Sequence, residues 1–256
     1  MSATKVYFAS DFHLGIDARH TSAEREHQLV RWLDMIKVDA RIIYLVGDLF
    51  DFWFEYRQAI PRGYTRLLGK LAELSDNGIE LHLFTGNHDM WMFDYLKTEL
   101  KCQIHRRPVI HALDDVKFYI GHGDGLGPGD HGYKVLKKIF ASPICQWLYA
   151  RIHPNLGIPL ARWVSGFSRS HTKKEDEYFG DENEWLLTYA NEQLSQNPAS
   201  YYIFGHRHLP IDKILDDGTS RYINLGEWMH FYSYAVWDGE ELELKFFENE
   251  NGRIYP

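Results

Sequence analysis

Residues 41–51 read Arg41-Ile42-Ile43-Tyr44-Leu45-Val46-Gly47-Asp48-Leu49-Phe50-Asp51. A short run of β-branched, aliphatic and aromatic residues predicts a buried strand. Its abrupt end in glycine and two carboxylates sets ionisable groups just past the strand's carboxyl end, where open α/β sheets bind their ligands. Other stretches repeat the construction. Lys5 to Ala9 leads to Asp11-Phe12-His13, and Glu80 to Thr85 leads to Gly86-Asn87-His88-Asp89. Val116 to Ile120 leads to Gly121-His122-Gly123-Asp124, and Tyr201 to Phe204 leads to Gly205-His206-Arg207-His208.

Between the first three strands lie segments with apolar residues at helical spacing: Ser22 to Lys37, with Leu29, Trp32, Leu33 and Ile36, and Pro61 to Asp76, with Leu67, Leu68, Leu71 and Leu74. The alternation is βαβαβ, so the expected class is α/β. A helical stretch after Glu182 leads into the strand at Tyr201. Alternating runs near Ile211, Tyr222, Tyr234 and Leu242 then predict a terminal antiparallel sheet.

With 256 residues, 45% of them hydrophobic, the chain can bury a large core, and disordered or low-complexity classes are excluded. Cys102 and Cys145 have no CxxC partner, which argues against a disulfide framework or a thiolate metal site and suits a reducing compartment. No secretory pattern opens the sequence, and no stretch reaches the roughly 18 uninterrupted apolar residues of a spanning helix, so a cytoplasmic protein is expected.

The formal charge of −8 is unevenly spread. Residues 131–174 carry eight Lys or Arg and no Asp or Glu, while the remaining 20 basic residues face 36 acidic ones. That acidic balance disfavours nucleic acid as a partner. The cationic segment also holds Trp147, Leu148, Tyr149, Leu156, Ile158, Leu160, Trp163, Val164 and Phe167, interrupted by Pro143, Pro154 and Pro159. It predicts a helical cap over residues 126–179, inserted in a core formed by residues 1–125 and 180–256.

Side chains two apart on extended backbone point the same way, so Asp11 with His13, and His206 with His208, could each offer two ligands to one region. Carboxylate, amide and imidazole donors without thiolate suit Mn, Fe or Zn rather than a structural zinc site. Asp11, His13, Asp48, Asn87, His122, His206 and His208 exceed the needs of one ion. With Asp48 bridging, one ion would take Asp11, His13, Asp48 and His208, and a second Asp48, Asn87, His122 and His206. Two divalent cations and two carboxylates leave a net positive site, suited to phosphate oxygens. Burying so many ionisable groups without metal would be costly.

The series D-x-H, GDxxD, GNH[DE], a His after Gly, and G-H-x-H resembles the calcineurin-like metallophosphoesterase superfamily, and every element is present. The resemblance implies a four-layer αββα sandwich, two divalent metal ions (Mn foremost, Fe or Zn as alternatives) and in-line attack of metal-bound hydroxide on phosphorus. It also implies that His88 stabilises charge or protonates the leaving group, with Asp89 orienting it.

A closer likeness over almost the whole chain is to the UDP-2,3-diacylglucosamine pyrophosphatase family of lipid A biosynthesis. It is carried by Gly47-Asp48-Leu49-Phe50-Asp51-Phe52-Trp53, by His122-Gly123-Asp124 leading to Asp130-His131-Gly132-Tyr133, and by Leu225-Gly226-Glu227-Trp228. That likeness implies cleavage of the lipid-linked nucleotide sugar to UMP and 2,3-diacylglucosamine 1-phosphate, and a cap that holds the acyl chains. It leaves room for peripheral contact with the inner membrane. Tyr133, Arg162, Ser168, Arg169, Lys173 and Lys174 are candidate contacts for glucosamine and phosphate, beside Asn87 and His88. Many members of that family carry Arg where this chain has His88, as general phosphoesterases do. Imidazole titrates near neutrality and could act as an acid where guanidinium could not.

Two other functions fit the same residues: a phosphodiesterase or phosphatase for a soluble nucleotide, and a non-catalytic membrane or protein interaction module. The first differs only in what the cap binds, and the second uses the cap to sit on membranes or partners. Against an acyl-binding cap stands the reading in which its apolar set is its own core and its charges form a solvated face. No P-loop, HExxH or G-x-S-x-G pattern offers another chemistry. His27, His82, His105 and His111 read as structural or surface residues, Asp51 and Asp124 as carboxylates that orient ligands, and Trp53 and Trp228 as cleft-lining or packing residues.

Overall fold

The computed structural model describes residues 4–129, 131–171, 178 and 180–255. Along the chain the elements are β1 (Lys5–Ala9), α1 (Ser22–Ile36), β2 (Ala40–Val46), α2 (Thr65–Asp76), β3 (Glu80–Phe84), α3 (Tyr95–Glu99), β4 (Gln103–His105), β5 (Val109–Leu113) and β6 (Val116–Ile120). Then come α4 (His131–Phe140), α5 (Pro143–Tyr149), α6 (Pro154–His171), α7 (Trp185–Gln196), β7 (Tyr201–Phe204), β8 (Pro210–Ile214), β9 (Arg221–Leu225), β10 (Ser233–Trp237) and β11 (Leu242–Phe246).

The strands form two sheets, one in the order β11-β10-β1-β2-β3-β4 and one in the order β5-β6-β7-β9-β8. Strands β1 to β4 run parallel, as do β6, β7 and β9. The pleat divides their residues between three apolar layers. Val6, Phe8, Tyr44, Val46, Phe118, Ile120, Ile203 and Ile223 pack between the sheets. Tyr7, Ala9, Ile43 and Leu45 face outward onto Leu29, Trp32 and Leu33 of α1 and Leu67 and Leu71 of α2. On the far side Tyr119, Tyr202 and Tyr222 meet Leu186, Leu187 and Ala190 of α7. Helix, sheet, sheet, helix: this is the expected αββα sandwich.

The final four strands do not form a sheet of their own, contrary to the pattern-based expectation. Strands β8 and β9 extend one sheet, while β10 and β11 cross to the other, where β10 pairs antiparallel with β1. The crossing is made at Gly226–Tyr232, where the Glu227 carboxylate accepts hydrogen bonds from the backbone N–H groups of Met229, His230 and Phe231. Helix α2 starts at Thr65, not at Pro61, because Gly63 and Tyr64 both hold positive φ, 117° and 60°. Pro143 and Pro154 open α5 and α6, where a missing N–H costs no helical bond, whereas Pro159 lies inside α6.

Helices α4 to α6 meet the loops after β2 and β3. Phe52, Phe54 and Trp91 pack with Phe140, Cys145, Tyr149 and Ile158. Trp53 and Trp228 are packing residues: both are buried in the layer under α1 and α2, with indole N–H groups donated to Glu55 Oε1 and to the carbonyl of Ser233. No described helix is long and apolar enough to cross a membrane.

Candidate metal centre

All five polar clusters follow the carboxyl ends of β1, β2, β3, β6 and β7, and they meet. Asp11, His13 and His208 place one donor atom each within 4.8 Å of one another, and Asp48, His122 and His206 form a second such group. Asp48 stands between them, its Oδ2 3.8 Å from His13 Nε2 and 3.4 Å from His122 Nε2. Asn87 Oδ1 lies 3.3 Å from His122 Nε2. Thus the fold brings the seven residues to one place, with Asp48 between the two groups. A third group, His13, Asp51 and His88, adjoins the first.

Backbone groups aim the donors. One oxygen of each carboxylate is pinned: Asp11 Oδ2 accepts from the His206 N–H at 2.9 Å, and Asp48 Oδ1 from the His88 N–H at 2.9 Å. The other oxygen faces the imidazoles; Asp11 Oδ1 has no hydrogen bond among the described residues and lies 3.4 Å from His208 Nε2. His122 Nδ1 donates to the Val46 carbonyl at 2.8 Å, which fixes the ring and turns Nε2 toward Asp48 and Asn87. Five donor residues hold left-handed backbone: Asp11 (φ 57°), His13 (44°), Asp48 (50°), His206 (68°) and His208 (54°). Such conformations are strained for non-glycine residues and collect at functional sites. The neighbouring glycines are equally determined, since a Cβ at Gly86 would collide with Asp48 and one at Gly205 with Asp11.

The electrostatics ask for a cation. Burial would raise the Asp11 and Asp48 carboxyls, yet the surrounding imidazoles hold both well below the usual carboxylate range. Burial likewise opposes a proton on His122, and Asp48, Asp11 and Asp124 overcome it, raising that imidazole to about 10. His206 is pushed down to about 4 by burial and by the neighbouring His122. Carboxylates and imidazoles packed this closely fit divalent cations, and the donor set contains no thiolate.

Two expectations need correction. Asp89 does not touch the His88 ring; its carboxylate accepts the N–H groups of Gly86, Leu49 and Phe50 and so ties the loop after β3 to the loop after β2. His88 Nδ1 instead meets the Asp51 carbonyl at 3.2 Å and Ser165 Oγ of α6 at 2.8 Å. Asp124 is not hydrogen-bonded to a donor histidine; its Oδ2 takes the Tyr133 hydroxyl at 2.6 Å and the Lys137 ammonium at 2.7 Å. Arg162 reaches the Tyr64 hydroxyl at 3.3 Å. The side chains of Ser168 and Arg169, and Lys173 and Lys174 altogether, lie outside the described residues. Sequence reasoning missed Ser165, as well as Glu184 and Arg25. The guanidinium of Arg25 donates to the carbonyls of His13 and Ile16, both at 2.8 Å. None of the three stands in a motif.

A sandwich of this topology with these donors at its strand ends defines a metal-dependent phosphoesterase. The family model for calcineurin-like phosphoesterases matches residues 4–210, and the chain belongs to that family. It is 41% identical over 259 residues to a UDP-2,3-diacylglucosamine hydrolase from Porphyromonas gingivalis, across 96% of this chain and 98% of that protein. A protein of the same name from Aeromonas salmonicida is 26% identical over 240 residues, 93% of this chain and 91% of the relative. In fold the chain is similar to vacuolar protein sorting 29 from Cryptosporidium parvum, with a TM-score of 0.50 at 10% identity, over 98% of this chain and 93% of that one.

Proposed function

We propose that this protein is a metal-dependent diphosphatase acting on UDP-2,3-diacylglucosamine, the substrate its relatives are named for, and releasing UMP and 2,3-diacylglucosamine 1-phosphate. The observation that carries the reading is the contact between Ser165 and His88. It joins α6, a cationic helix with exposed apolar side chains, to the donors at the strand ends, so one place offers phosphate chemistry and a surface for acyl chains.

Asp11, His13, Asp48 and His208 would hold one divalent ion, and Asp48, Asn87, His122 and His206 the other, with Mn the foremost candidate. Bound there, such ions would neutralise phosphoryl oxygens and lower the pKa of an attacking water. The chain's own residues do the positioning. Backbone N–H groups fix Asp11 and Asp48, and the Val46 carbonyl fixes the His122 tautomer. The His88 ring, whose Nδ1 faces the Asp51 carbonyl, would have a proton at Nε2 for the leaving oxygen in its doubly protonated form.

Acyl recognition is assigned to α4–α6, where Val135, Ile139, Trp147, Leu148, Leu156 and Leu160 are exposed. Their exposure speaks against these side chains serving only as a core for the cap. An acyl chain with about ten buried methylenes gains about 8 kcal/mol at ~0.8 kcal/mol each. A Lys or Arg near an anionic surface is worth about 1 kcal/mol. Acyl burial therefore dominates substrate choice, and peripheral contact with the membrane that holds the lipid follows from the same surface.

The test is product analysis with UDP-2,3-diacylglucosamine and Mn in isotopically labelled water. Label is expected in UMP, and chelation should stop turnover reversibly. Label in the sugar phosphate would reverse the site of attack, and equally fast cleavage of bis(4-nitrophenyl) phosphate would refute the lipid substrate.

A further inference from the structure

Three imidazoles outside the strand-end centre meet where the two sheets come together. His82 of β3, His105 of β4 and His111 of β5 each place a ring nitrogen within 4.8 Å of the others. Strand β4 is the edge of one sheet and β5 the edge of the other. His82 is buried, and the other two are half-buried. His82 Nδ1 and His105 Nε2 are 2.9 Å apart.

Their surroundings resemble those of metal-binding histidines, whose second nitrogen is fixed by an oxygen or amide partner. The Tyr44 hydroxyl lies 2.6 Å from His111 Nδ1. On the far side of the His82 ring, Nε2 has Glu80 Oε2 at 3.6 Å and Gln103 Nε2 at 3.5 Å. Zinc–nitrogen bonds of about 2.0–2.1 Å put neighbouring ligand atoms about 3.4 Å apart in a tetrahedron, between the shortest separation here and the outer limit of the group. The rings also lie against Tyr44 and Phe84, His82 with its centroid 4.6 Å from Tyr44 and His105 4.7 Å from Phe84.

We propose that His82, His105 and His111 form a second, structural metal site that takes a borderline transition-metal ion, Zn2+, and fastens the edge of one sheet to the edge of the other. Imidazole ligands without thiolate select such an ion over Mg2+ or Ca2+. Burial and mutual repulsion favour the neutral rings, lowering His82 to about 3 and His105 to about 4, so no charged imidazole stands against a cation at neutral pH. None of the seven strand-end donors takes part, and the site is independent of the substrate proposed above.

The experiment uses the full chain without a polyhistidine tag, stripped of metal and titrated with Zn2+ against a chromophoric chelator. Wild-type protein should bind one more tight equivalent than His105→Ala or His111→Asn. Asp48→Asn, directed at the other centre, should keep that equivalent. The Zn2+-dependent rise in Tm should be smaller in both histidine variants than in wild type. Equal stoichiometry in wild type and His111→Asn would overturn the site, as would loss of the extra equivalent in Asp48→Asn alone. Since His111 is half-buried on an edge strand, His111→Asn decides the matter if His105→Ala does not fold.

Discussion

Glu184 accepts both Nε and Nη2 of Arg207, at 2.8 and 2.6 Å, with each side chain only 1% exposed. Arg207 stands between His206 and His208, so the residue that precedes α7 holds the peptide presenting two donors. The guanidinium also lies over Trp185, 5.0 Å from its ring centroid.

Removing one member of a buried ion pair leaves the other charge uncompensated, at a cost of about 3–5 kcal/mol. Glu184→Ala is expected to lose stability on that scale in urea unfolding and to retain less metal after dialysis. The double change Glu184→Leu with Arg207→Met should be less damaging than either single change. A Glu184→Ala protein as stable as wild type would show that the pair does not anchor the loop.

His88→Ala should reduce kcat by about a hundredfold, the scale of a lost general acid, while changing KM less. Ser165→Ala, which removes only the contact to Nδ1, should give a smaller loss in kcat. Steady-state kinetics on the diacylated substrate separates the two parameters, and an unchanged kcat in His88→Ala would remove that residue from the chemistry.

Trp147→Asp and Leu156→Asp alter side chains that are 57% and 69% exposed and so should leave the Tm nearly unchanged. Each loses apolar contact worth about two methylenes, so KM for the diacylated substrate should rise about tenfold. Hydrolysis of a soluble phosphodiester should stay within about twofold of wild type. Equal losses on both substrates would place these residues outside acyl recognition.

The histidine cluster also fixes a pH dependence for metal-free protein. His82 and His105 are held below their ordinary values by burial and by neighbouring imidazoles, while Glu80 works the other way on His111. Between the depressed folded values and about 6.5 the unfolded chain binds more protons, so stability rises with pH. It should therefore fall as pH drops from about 6.5 toward 4, by up to about 1.4 kcal/mol per pH unit for each histidine. His105→Gln should flatten that slope in unfolding measurements at pH 5, 6 and 7, made with chelator present. Parallel slopes would show that this cluster is not the source.

Much of the core was legible because its signals are local. An apolar run followed by Gly and Asp or His marks both a strand and its functional end, and the pleat forces Tyr44 and Leu45 to opposite layers. Strand β4 is three residues long, too short for any period to register. The partners of β8 to β11 depend on which sheet edge stands open, and that is a property of the assembled fold. Asp89 shows the same limit within the site. Its place in the motif suggested a role beside His88, whereas three backbone N–H groups claim both of its oxygens. His82, His105 and His111 are scattered across 30 positions without a motif, and only the sandwich makes them neighbours.

The left-handed backbone at Asp11, His13, Asp48, His206 and His208 has an evolutionary corollary. Glycine and asparagine tolerate that geometry more readily than histidine does, so a descendant that exchanged one of these residues for either would relieve tension in its main chain and, on the metal assignment proposed above, forfeit turnover. Natural drift can thus convert such a catalyst into a durable scaffold, and loss of chemistry need not be accompanied by loss of the sandwich.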